Sequence, residues 1–231
     1  MTDAQRCARM GRMDIAVLGT GMVGQALAAR LDELGHAVVM GTRDPPATRT
    51  RPDSDVPAWL DAHPGVALAT FADAAAGAEL VINATNGQAA LEVLGQAGAQ
   101  NLAGKPLVDL SNPLDFSQGF PPTLFVKDTD SLGEQVQRAF PDARVVKTLN
   151  TVNAGVMVDP ASLGTATTVF VSGDDADAKA TVTALLESFG WEDVLDLGPL
   201  ETCRGTELYL PLWLRMMQAV GTPQLNVTVV R

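Results

Sequence analysis

Three features of this 231-residue sequence predict an α/β protein built on a doubly wound parallel sheet. Short apolar runs alternate with helix-like segments along almost the whole chain. A glycine-rich loop joins the first apolar run to the first helix. A second apolar run follows that helix, so a stretch of roughly 30 residues reads strand, helix, strand, the length of a right-handed parallel crossover unit. Together these features are typical of a Rossmann-type sheet, here followed by a small C-terminal α/β lobe.

The individual elements follow from the spacing of apolar residues and from the glycines between them. Runs rich in Val, Ile and Leu predict strands at residues 14–18, 37–40, 66–68, 80–83, 106–110, 144–149, 168–172, 194–197 and 226–230. Apolar residues three or four positions apart predict helices at residues 22–34, 71–76, 89–97, 131–140, 176–189 and 201–220. Gly35 suits the left-handed position that ends the first helix, and Asp174 and Asp175 suit the N-terminal cap of the helix at 176–189.

The composition excludes several classes of protein. Hydrophobic residues make up 46% and charged residues 19% of the chain, which is ordinary for a globular protein. The net charge of -11 argues against a nucleic-acid partner. No apolar run reaches the roughly 18 residues of a membrane span. Cys7 and Cys203 are the only cysteines, which provides neither a disulfide framework nor a metal site and favours the cytoplasm.

A dinucleotide-binding motif lies between the first predicted strand and helix. It reads G-x-G-x-x-G and consists of Gly19, Thr20, Gly21, Met22, Val23 and Gly24. The first glycine of such a loop makes a tight turn, the second admits the pyrophosphate, and the third lets the helix pack against the strand. The helix N-terminus then presents free N–H groups to the phosphates. Because a strand, a helix and a second strand surround the motif, we expect it to bind a dinucleotide.

The end of the second predicted strand favours NADP(H) over NAD(H). NAD-binding folds usually place an acidic residue there to hold the ribose 2′-hydroxyl. Here Thr42 and Arg43 follow the strand, and a guanidinium beside a hydroxyl can hold a 2′-phosphate. Asp44 is the competing residue, because shifted by one position it would serve an NAD ribose. Residues 13–150 are therefore predicted to form the NADP-binding domain and residues 151–231 the small lobe.

The first twelve residues are expected to form a disordered tail. No apolar segment follows the arginines of this tail, so it does not resemble a signal peptide. Met13 directly precedes the first predicted strand and is an alternative start.

The common dehydrogenase acids and bases are missing from the sequence. Tyr209 has Trp213 four residues later, which excludes the Tyr-x-x-x-Lys pair of short-chain enzymes. His36 and His63 lie in turns and are interpreted as structural. Lys147 lies in a predicted strand with Asn150 three residues on, a poor match to a helical Lys–Asn pair. The catalytic residue is therefore unknown, with Asn150 a weak candidate near the nicotinamide. Direct hydride transfer between two organic cofactors depends mainly on their positions.

Five segments of the chain resemble those of the F420-dependent NADP oxidoreductases, which transfer hydride between NADPH and the deazaflavin F420. They are VLGTGMVG (17–24), MGTR (40–43), VVKTLNTVNAG (145–155), VFVSGDDADAK (169–179) and DLGPLETCRGTE (196–207). The resemblance covers nearly all of residues 13–231 and implies a homodimer. It implies pyrophosphate contacts from Thr20, Gly21, Met22 and Val23, and a 2′-phosphate site at Thr42 and Arg43. It also implies that Ala84, Thr85 and Asn86 lie near the adenine-side ribose or the pyrophosphate, and that residues 111–114, including Asn112 and Leu114, and 150–154, including Asn150 and Ala154, line the nicotinamide end.

The departures from the family pattern lie where the acceptor binds. Archaeal members of the family carry His at the position of Asn150 and Pro at that of Asn153. They also carry Pro and Trp where this chain has Asn86 and Gly87. These differences leave NADP binding intact and make the acceptor site more polar.

These features predict a cytoplasmic NADPH-dependent reductase that delivers hydride to F420 or to a flavin, FMN or FAD. One alternative is a reductase of a small carbonyl or imine substrate in which Asn150 or water assists the proton. Another is a non-catalytic NADP(H)-binding redox sensor. No membrane partner is expected. The segment at 201–220 is apolar nearly all round, so we expect it to be buried in the lobe or against a second copy of the chain, rather than to form a methionine-lined cofactor slot.

Overall fold

The computed structural model describes residues 11–231, and the expectation of a disordered tail at residues 1–12 therefore lies largely outside the described residues. The described chain is an α/β protein with an eight-stranded main sheet and a two-stranded ribbon. The strands are β1 (Asp14–Leu18), β2 (Ala37–Thr42), β3 (Val66–Thr70), β4 (Leu80–Asn83), β5 (Pro106–Asp109), β6 (Leu114–Asp115), β7 (Thr123–Leu124), β8 (Arg144–Thr148), β9 (Thr168–Gly173) and β10 (Asp193–Gly198). The predicted Rossmann-type fold class is confirmed.

Eleven α-helices lie in the described residues. They are α1 (Met22–Glu33), α2 (Pro45–Arg49), α3 (Val56–Ala62), α4 (Phe71–Gly77), α5 (Ala90–Ala97), α6 (Ala99–Leu102), α7 (Leu132–Ala139), α8 (Ala154–Val158), α9 (Ala176–Phe189), α10 (Cys203–Leu208) and α11 (Leu210–Val220). Short 3₁₀ turns cover Gly87–Ala89, Pro160–Leu163 and Leu200–Thr202. In this part of the chain, no helix has the length and apolar character needed to cross a membrane.

The strand order of the main sheet is β10-β9-β8-β5-β4-β1-β2-β3. The six strands from β3 to β8 are all parallel, in the order of a dinucleotide-binding sheet. Strand order reverses between β1 and β4, so a crevice opens there at the carboxyl ends of the strands.

Residues 151–231 continue the same sheet. Strand β9 pairs antiparallel to β8, and β10 pairs parallel to β9. The direction of the strands therefore changes close to residue 150, where we expected a domain boundary, but hydrogen bonding continues across it. The division into two domains stays a prediction.

Strand β1 shows why both faces of the sheet are covered. Its side chains alternate between two buried clusters, with Ile15 and Val17 in one and Ala16 and Leu18 in the other. Helices α1 and α9 contribute to the first cluster, and α4, α5 and α7 to the second. Strands buried on both faces are near-continuously apolar, which is what made these runs recognisable in the sequence.

The end of helix α1 has the geometry that Gly35 predicts. Gly35 has φ of +85°, and the N–H of His36 donates to the carbonyl of Leu31. His36 itself is buried, and its Nδ1 accepts a hydrogen bond of 3.2 Å from the N–H of Met13. It therefore has a structural role, as expected. Asp175 accepts from the N–H of Ala178 and caps α9, also as expected.

Two predictions at the C-terminus are wrong. The single helix expected at 201–220 is divided into a 3₁₀ turn, α10 and α11, with Tyr209 between the two helices. Pro211 lies in the first turn of α11 and lacks the N–H that a continuous helix would use. The segment at 226–230, expected to be a strand, is not part of the sheet. Its backbone hydrogen bond to β9 runs from the N–H of Thr168 to the carbonyl of Val227, and such a bond alone does not make a strand.

Within this chain the C-terminal segment is buried on one side only, and its expected burial against a second copy of the chain stays a prediction. Leu210 and Leu214 are buried, whereas Leu208 and Leu212 are exposed, Leu212 by 56%. One side of α11 is therefore buried in this chain and the other side is exposed.

Candidate functional site

A cleft of about 390 Å³ lies at the carboxyl ends of β1, β4, β5 and β8. It coincides with the reversal of strand order, the usual ligand position in open α/β sheets. Of the residues predicted to bind the cofactor, the following line it: Gly21, Met22, Val23, Ala84, Thr85, Asn86, Asn112, Leu114, Asn150 and Ala154. The other predicted residues do not line it: Gly19, Thr20 and Gly24 belong to the same loop and helix start, and Thr42 and Arg43 lie at the end of β2.

The three glycines of the loop have different surroundings. Gly19 has φ of +118°, and a Cβ there would lie 2.8 Å from the carbonyl oxygen of Ala84. A Cβ on Gly24 would collide with the carbonyl of Gly19, so the helix can approach the loop only at a glycine. Gly21 has ordinary extended backbone angles and open space where its Cβ would be. The first and third glycines are thus required by packing, whereas the second keeps space free in the cleft.

Helix α1 begins at the edge of this free space. Gly21 is its N-cap residue and provides no side-chain cap, so the helix's first N–H groups lack the acceptor that a capping side chain supplies. Met22 is 73% exposed at the cleft. An uncapped helix N-terminus facing a cleft can bind an anion through its N–H groups and the helix dipole.

The residues after β2 are placed differently from one another. The hydroxyl of Thr42 is buried and shares a 2.8 Å hydrogen bond with the hydroxyl of Thr48, and its contact with a ligand stays a prediction. The guanidinium of Arg43 is exposed and forms a 2.9 Å ion pair with Glu92 of α5. Asp44 accepts from the N–H of Ala47 and caps α2. Arg43 and Asp44 are both exposed, and Arg43 is the one of these three residues that carries a positive charge.

Two asparagines join the loops after β5 and β8. The side chain of Asn112 donates to the carbonyl of Asn150 at 3.0 Å, and the side chain of Asn150 donates to Oδ1 of Asn112 at 3.1 Å. Asn150 also donates to the carbonyl of Thr206 in α10. Leu149, which precedes it, has φ of +59°, a strained conformation for a branched side chain. The amide hydrogens of Asn150 are therefore used within the protein.

A buried ion cluster lies beneath these loops, and the sequence analysis did not foresee it. Lys147 of β8 contacts Asp109 of β5 and Glu207 of α10, each at 2.8 Å, and donates to the carbonyl of Ser111 at 2.6 Å. Burial alone lowers the pKa of Lys147, but the charges of Asp109 and Glu207 outweigh it and raise the pKa above its ordinary value. Lys147 is thus a charged structural residue and has no access to the cleft.

The cluster holds further backbone groups in place. Glu207 accepts from the N–H groups of Leu132 and Gly133 at the start of α7. Asp109 accepts from the side chain of Asn83 and from both the N–H and the hydroxyl of Ser111. Lys147 and its partners therefore fix the ends of β4 and β5 and the loop that follows β5.

Part of the cleft wall comes from apolar residues that the sequence analysis missed. They are Leu110, Phe116, Met157 and Trp213. Trp213 lies on α11, and its indole N–H is buried without an acceptor among the described residues. Phe116 follows the β5 loop closely enough to be suspected from sequence. Nothing local to Met157 or Trp213 indicates that they reach the cleft.

The chemistry available in the cleft is limited. No titratable side chain lines it among residues 11–231; its polar groups are amides, hydroxyls and backbone groups. No group of three or more His, Cys, Asp or Glu residues in the same range could hold a metal ion. The cleft can therefore bind and orient ligands, but it offers no ionisable acid or base of its own.

Comparison with known proteins identifies the family. Residues 14–113 match the family model described as NADP oxidoreductase, coenzyme F420-dependent. A crystal structure from Arthrobacter sp. FB24, provisionally named as an F420-dependent NADP reductase, is 57% identical, with a TM-score of 0.93 over 95% of this chain and 100% of that one. The F420-dependent NADP reductase of Methanothermobacter marburgensis is 29% identical over 211 residues, 88% of this chain and 92% of that protein.

A third relative is much longer than this chain. The metalloreductase STEAP3 of Rattus norvegicus is 30% identical over 203 residues, 86% of this chain. The chain covers only 37% of the length of STEAP3, so the similarity concerns one part of that protein.

The fold, the cleft and these relatives define a dinucleotide-dependent oxidoreductase. The chain belongs to the F420-dependent NADP oxidoreductase family, and it is an NADP-dependent oxidoreductase.

Proposed function

We propose that this protein transfers hydride between NADPH and a flavin-like acceptor, F420 in the first place and a flavin otherwise. The observation that carries the proposal is the cleft, in which a glycine-loop helix N-terminus meets a partly apolar wall with no titratable side chain among the described residues. Hydride transfer between two bound cofactors requires them to be close and correctly oriented. The hydride leaves the acceptor ring as a delocalised anion that can take its proton from solvent, so the protein need not provide an acid or base.

The residues around the glycine loop fit the phosphates of NADP(H). The open space at Gly21 would be filled by any side chain, and it lies directly beside the first N–H groups of α1. Gly21, Met22 and Val23 would hold the pyrophosphate there, with Thr20 beside them. Residues 84–86 line the adjacent wall and would contact the ribose or the pyrophosphate. NADP(H) supplies the hydride, and these residues bind and orient it.

The geometry after β2 supports a 2′-phosphate site that depends on Arg43. Its guanidinium is exposed directly after β2 and can bind a phosphate through paired N–H groups. Asp44 is engaged in capping α2, so the residue that would favour an NAD ribose already has a partner. The buried hydroxyl of Thr42 pairs with Thr48 and would support the shape of the loop instead of binding the phosphate.

At the other end of the cleft, Asn112, Leu114, Asn150 and Ala154 would surround the nicotinamide. The mutual hydrogen bonds of Asn112 and Asn150 keep both amides in fixed positions. Because the N–H groups of Asn150 already donate to Asn112 and Thr206, Asn150 positions ligands and is not a proton donor. In the carbonyl or imine alternative this arrangement removes Asn150 as the proton donor and leaves water in that role.

The acceptor would lie against the apolar part of the wall. Phe116 and Trp213 provide aromatic surface that suits a flat ring system. The unpaired indole N–H of Trp213 is unusual for a buried donor and would find its partner in a carbonyl or ring nitrogen of the acceptor. F420 and flavins both carry such groups.

Initial rates of NADPH oxidation with a panel of acceptors test the proposal. F420, FMN, FAD, a ferric chelate and a cyclic imine are offered separately to the purified protein. Turnover of F420 or of a flavin supports the proposal. Turnover of only the imine or only the chelate would show that the acceptor is not F420 or a flavin. Tight NADPH binding without any turnover favours the redox-sensor alternative.

We also propose that two copies of the chain pair through the outer side of the C-terminal helices. Leu208 and Leu212 are exposed there although the segment is strongly apolar. Leu212→Glu places a charge on this surface, and light scattering should then show a monomer where the parent protein is a dimer. A parent protein that is already monomeric at micromolar concentration contradicts the pairing.

A further inference from the structure

Arg43, the residue proposed to bind the 2′-phosphate, is already engaged by an acidic residue. Its Nη2 lies 2.9 Å from Oε1 of Glu92, and both side chains are largely exposed, by 68% and 60%. The same Glu92 oxygen accepts a 2.9 Å hydrogen bond from the side chain of Gln96, one turn further along α5. Glu92 is thus held in position by two contacts although it is close to solvent.

The ion pair joins two segments that follow the strands on either side of β1. Arg43 follows β2, and Glu92 is in the first turn of α5, which follows β4. Strand β1 lies between β2 and β4 in the sheet. The pair therefore spans the carboxyl end of β1, where the glycine loop begins, and the adenosine half of a dinucleotide bound to that loop passes the same place.

We infer that Glu92 is a specificity-determining residue, the counter-ion that the 2′-phosphate of NADP(H) displaces from Arg43. The inference rests on the proposed function of Arg43. A phosphate monoester carries about 1.5 to 2 negative charges and competes for the same guanidinium N–H groups as the carboxylate. NAD(H) has a hydroxyl at this position and leaves the ion pair in place. Glu92 therefore weakens the binding of NADP(H) selectively and narrows the preference for NADP(H) over NAD(H).

The test removes the charge of Glu92 while keeping its shape. Glu92→Gln is compared with the parent protein for binding of adenosine 2′,5′-bisphosphate and of ADP, by titration calorimetry at low ionic strength. These probes need neither a nicotinamide nor an acceptor. We expect the Kd for the bisphosphate to fall about two- to five-fold, or about 0.4–1 kcal/mol, because an exposed ion pair makes a contribution of this size. The Kd for ADP should stay unchanged, and added salt should reduce the difference.

A matched control is Glu33→Gln. Glu33 also forms an exposed ion pair, with Arg30, but it lies at the far end of α1. That variant removes the same charge from the protein and should leave both Kd values unchanged. In an Arg43→Ala background, Glu92→Gln should no longer change the Kd for the bisphosphate.

Three results would overturn the inference. The first is that Glu92→Gln binds the bisphosphate no more tightly than the parent protein does. The second is that Glu92→Gln lowers the Kd for ADP by the same factor as that for the bisphosphate. The third is that Glu92→Gln still lowers the Kd for the bisphosphate in the Arg43→Ala background. Failure of the proposed function looks different. In that case the parent protein binds ADP and the bisphosphate equally well, and Arg43→Ala changes neither value.

Discussion

The ammonium nitrogen of Lys147 lies 2.8 Å from a carboxylate oxygen of Asp109, and neither side chain has exposed surface. Glu207 contacts the same ammonium group, so one buried cation lies between two carboxylates. Through Asp109 and Ser111 this cluster fixes the loop after β5, and through Glu207 it fixes the start of α7. The segments beneath the cleft are thus held in place by Lys147, Asp109 and Glu207, which take no part in the proposed hydride transfer.

Removal of the Lys147 charge should destabilise the whole protein. Lys147→Met leaves Asp109 and Glu207 buried and without their cation, and breaking such a buried pair costs about 3–5 kcal/mol. Urea unfolding measures the change in the free energy of unfolding. Lys127→Met is the control, because Lys127 is exposed, and it should change stability by less than about 0.5 kcal/mol. Equal stability of the two variants would mean that the cluster does not support the fold.

Protonation of His36 should make stability depend on pH. Burial lowers the pKa of His36 below its ordinary value of 6.5. The unfolded chain therefore binds a proton at this site near pH 6.5 while the folded chain stays neutral. It follows that the free energy of unfolding decreases as the pH falls below 6.5 towards the folded-state pKa.

The measurement is the difference in Tm between the parent protein and His36→Gln over that pH range. The Tm of the variant should decrease less on acidification than that of the parent protein, because Gln does not titrate. Parallel Tm curves would show that His36 has the same pKa in the folded and unfolded chains.

The thiol of Cys203 should be unreactive in the folded protein. Burial raises its pKa to about 12, even though Lys147 is nearby, and its Sγ lies 3.1 Å from the hydroxyl of Ser131. The thiolate is the reactive form, and at neutral pH almost none is present. In a Cys7→Ser background, a chromogenic disulfide reagent should react with Cys203 only after urea unfolds the chain. Rapid modification of the native protein would contradict the burial.

A side chain at Gly21 should block the cofactor without disturbing the fold. The backbone angles there suit any residue, and the space that Val would occupy belongs to the cleft. Gly21→Val should weaken the binding of both NADPH and NADH by about 100-fold or more, or about 2.7 kcal/mol. Gly77→Val, at an exposed position with open space, is the control and should bind both normally. Retained binding by Gly21→Val would move the pyrophosphate away from this loop.

The indole N–H of Trp213 should matter for the acceptor and not for NADPH. Trp213→Phe keeps an aromatic ring and removes the unpaired donor. A hydrogen bond of about 0.5–1.5 kcal/mol corresponds to a rise in acceptor KM of about two- to ten-fold. The Kd for NADPH should not change. A parallel loss of NADPH affinity would mean that Trp213 supports the whole cleft and does not contact the acceptor.

The elements that the sequence predicted well are those with strong local signals. Strand β1, helix α1 and strand β2 have clear apolar periodicity, and the glycine-rich loop between β1 and α1 marks the turn. All three elements lie where expected. The break at Tyr209 also had a signal, because Pro211 interrupts helical hydrogen bonding. Short helices such as α2 and α8 were missed, since five residues carry too little periodicity to recognise.

Tertiary contacts account for what the sequence could not supply. An apolar run does not reveal whether a strand runs parallel or antiparallel to its neighbour, so the antiparallel pairing of β9 with β8 was not predictable. The carboxylates that pair with Lys147 come from positions 38 and 60 residues away along the chain. Trp213 reaches the cleft, and Glu92 reaches Arg43, from helices that are distant in sequence from the glycine loop. Thr42 was assigned to a ligand, and its burial against Thr48 became visible only in the structure.

Direct hydride transfer from NADPH to F420 is the central claim, and isotope tracing tests it most directly. NADPH is prepared with deuterium on one face of the nicotinamide carbon that gives up the hydride, and both stereoisomers are tested. The account predicts that one isomer delivers its deuterium to the reduced F420, where mass spectrometry detects it on carbon. Release of the deuterium into solvent water during F420 reduction would contradict the account, and so would a failure to reduce either F420 or a flavin.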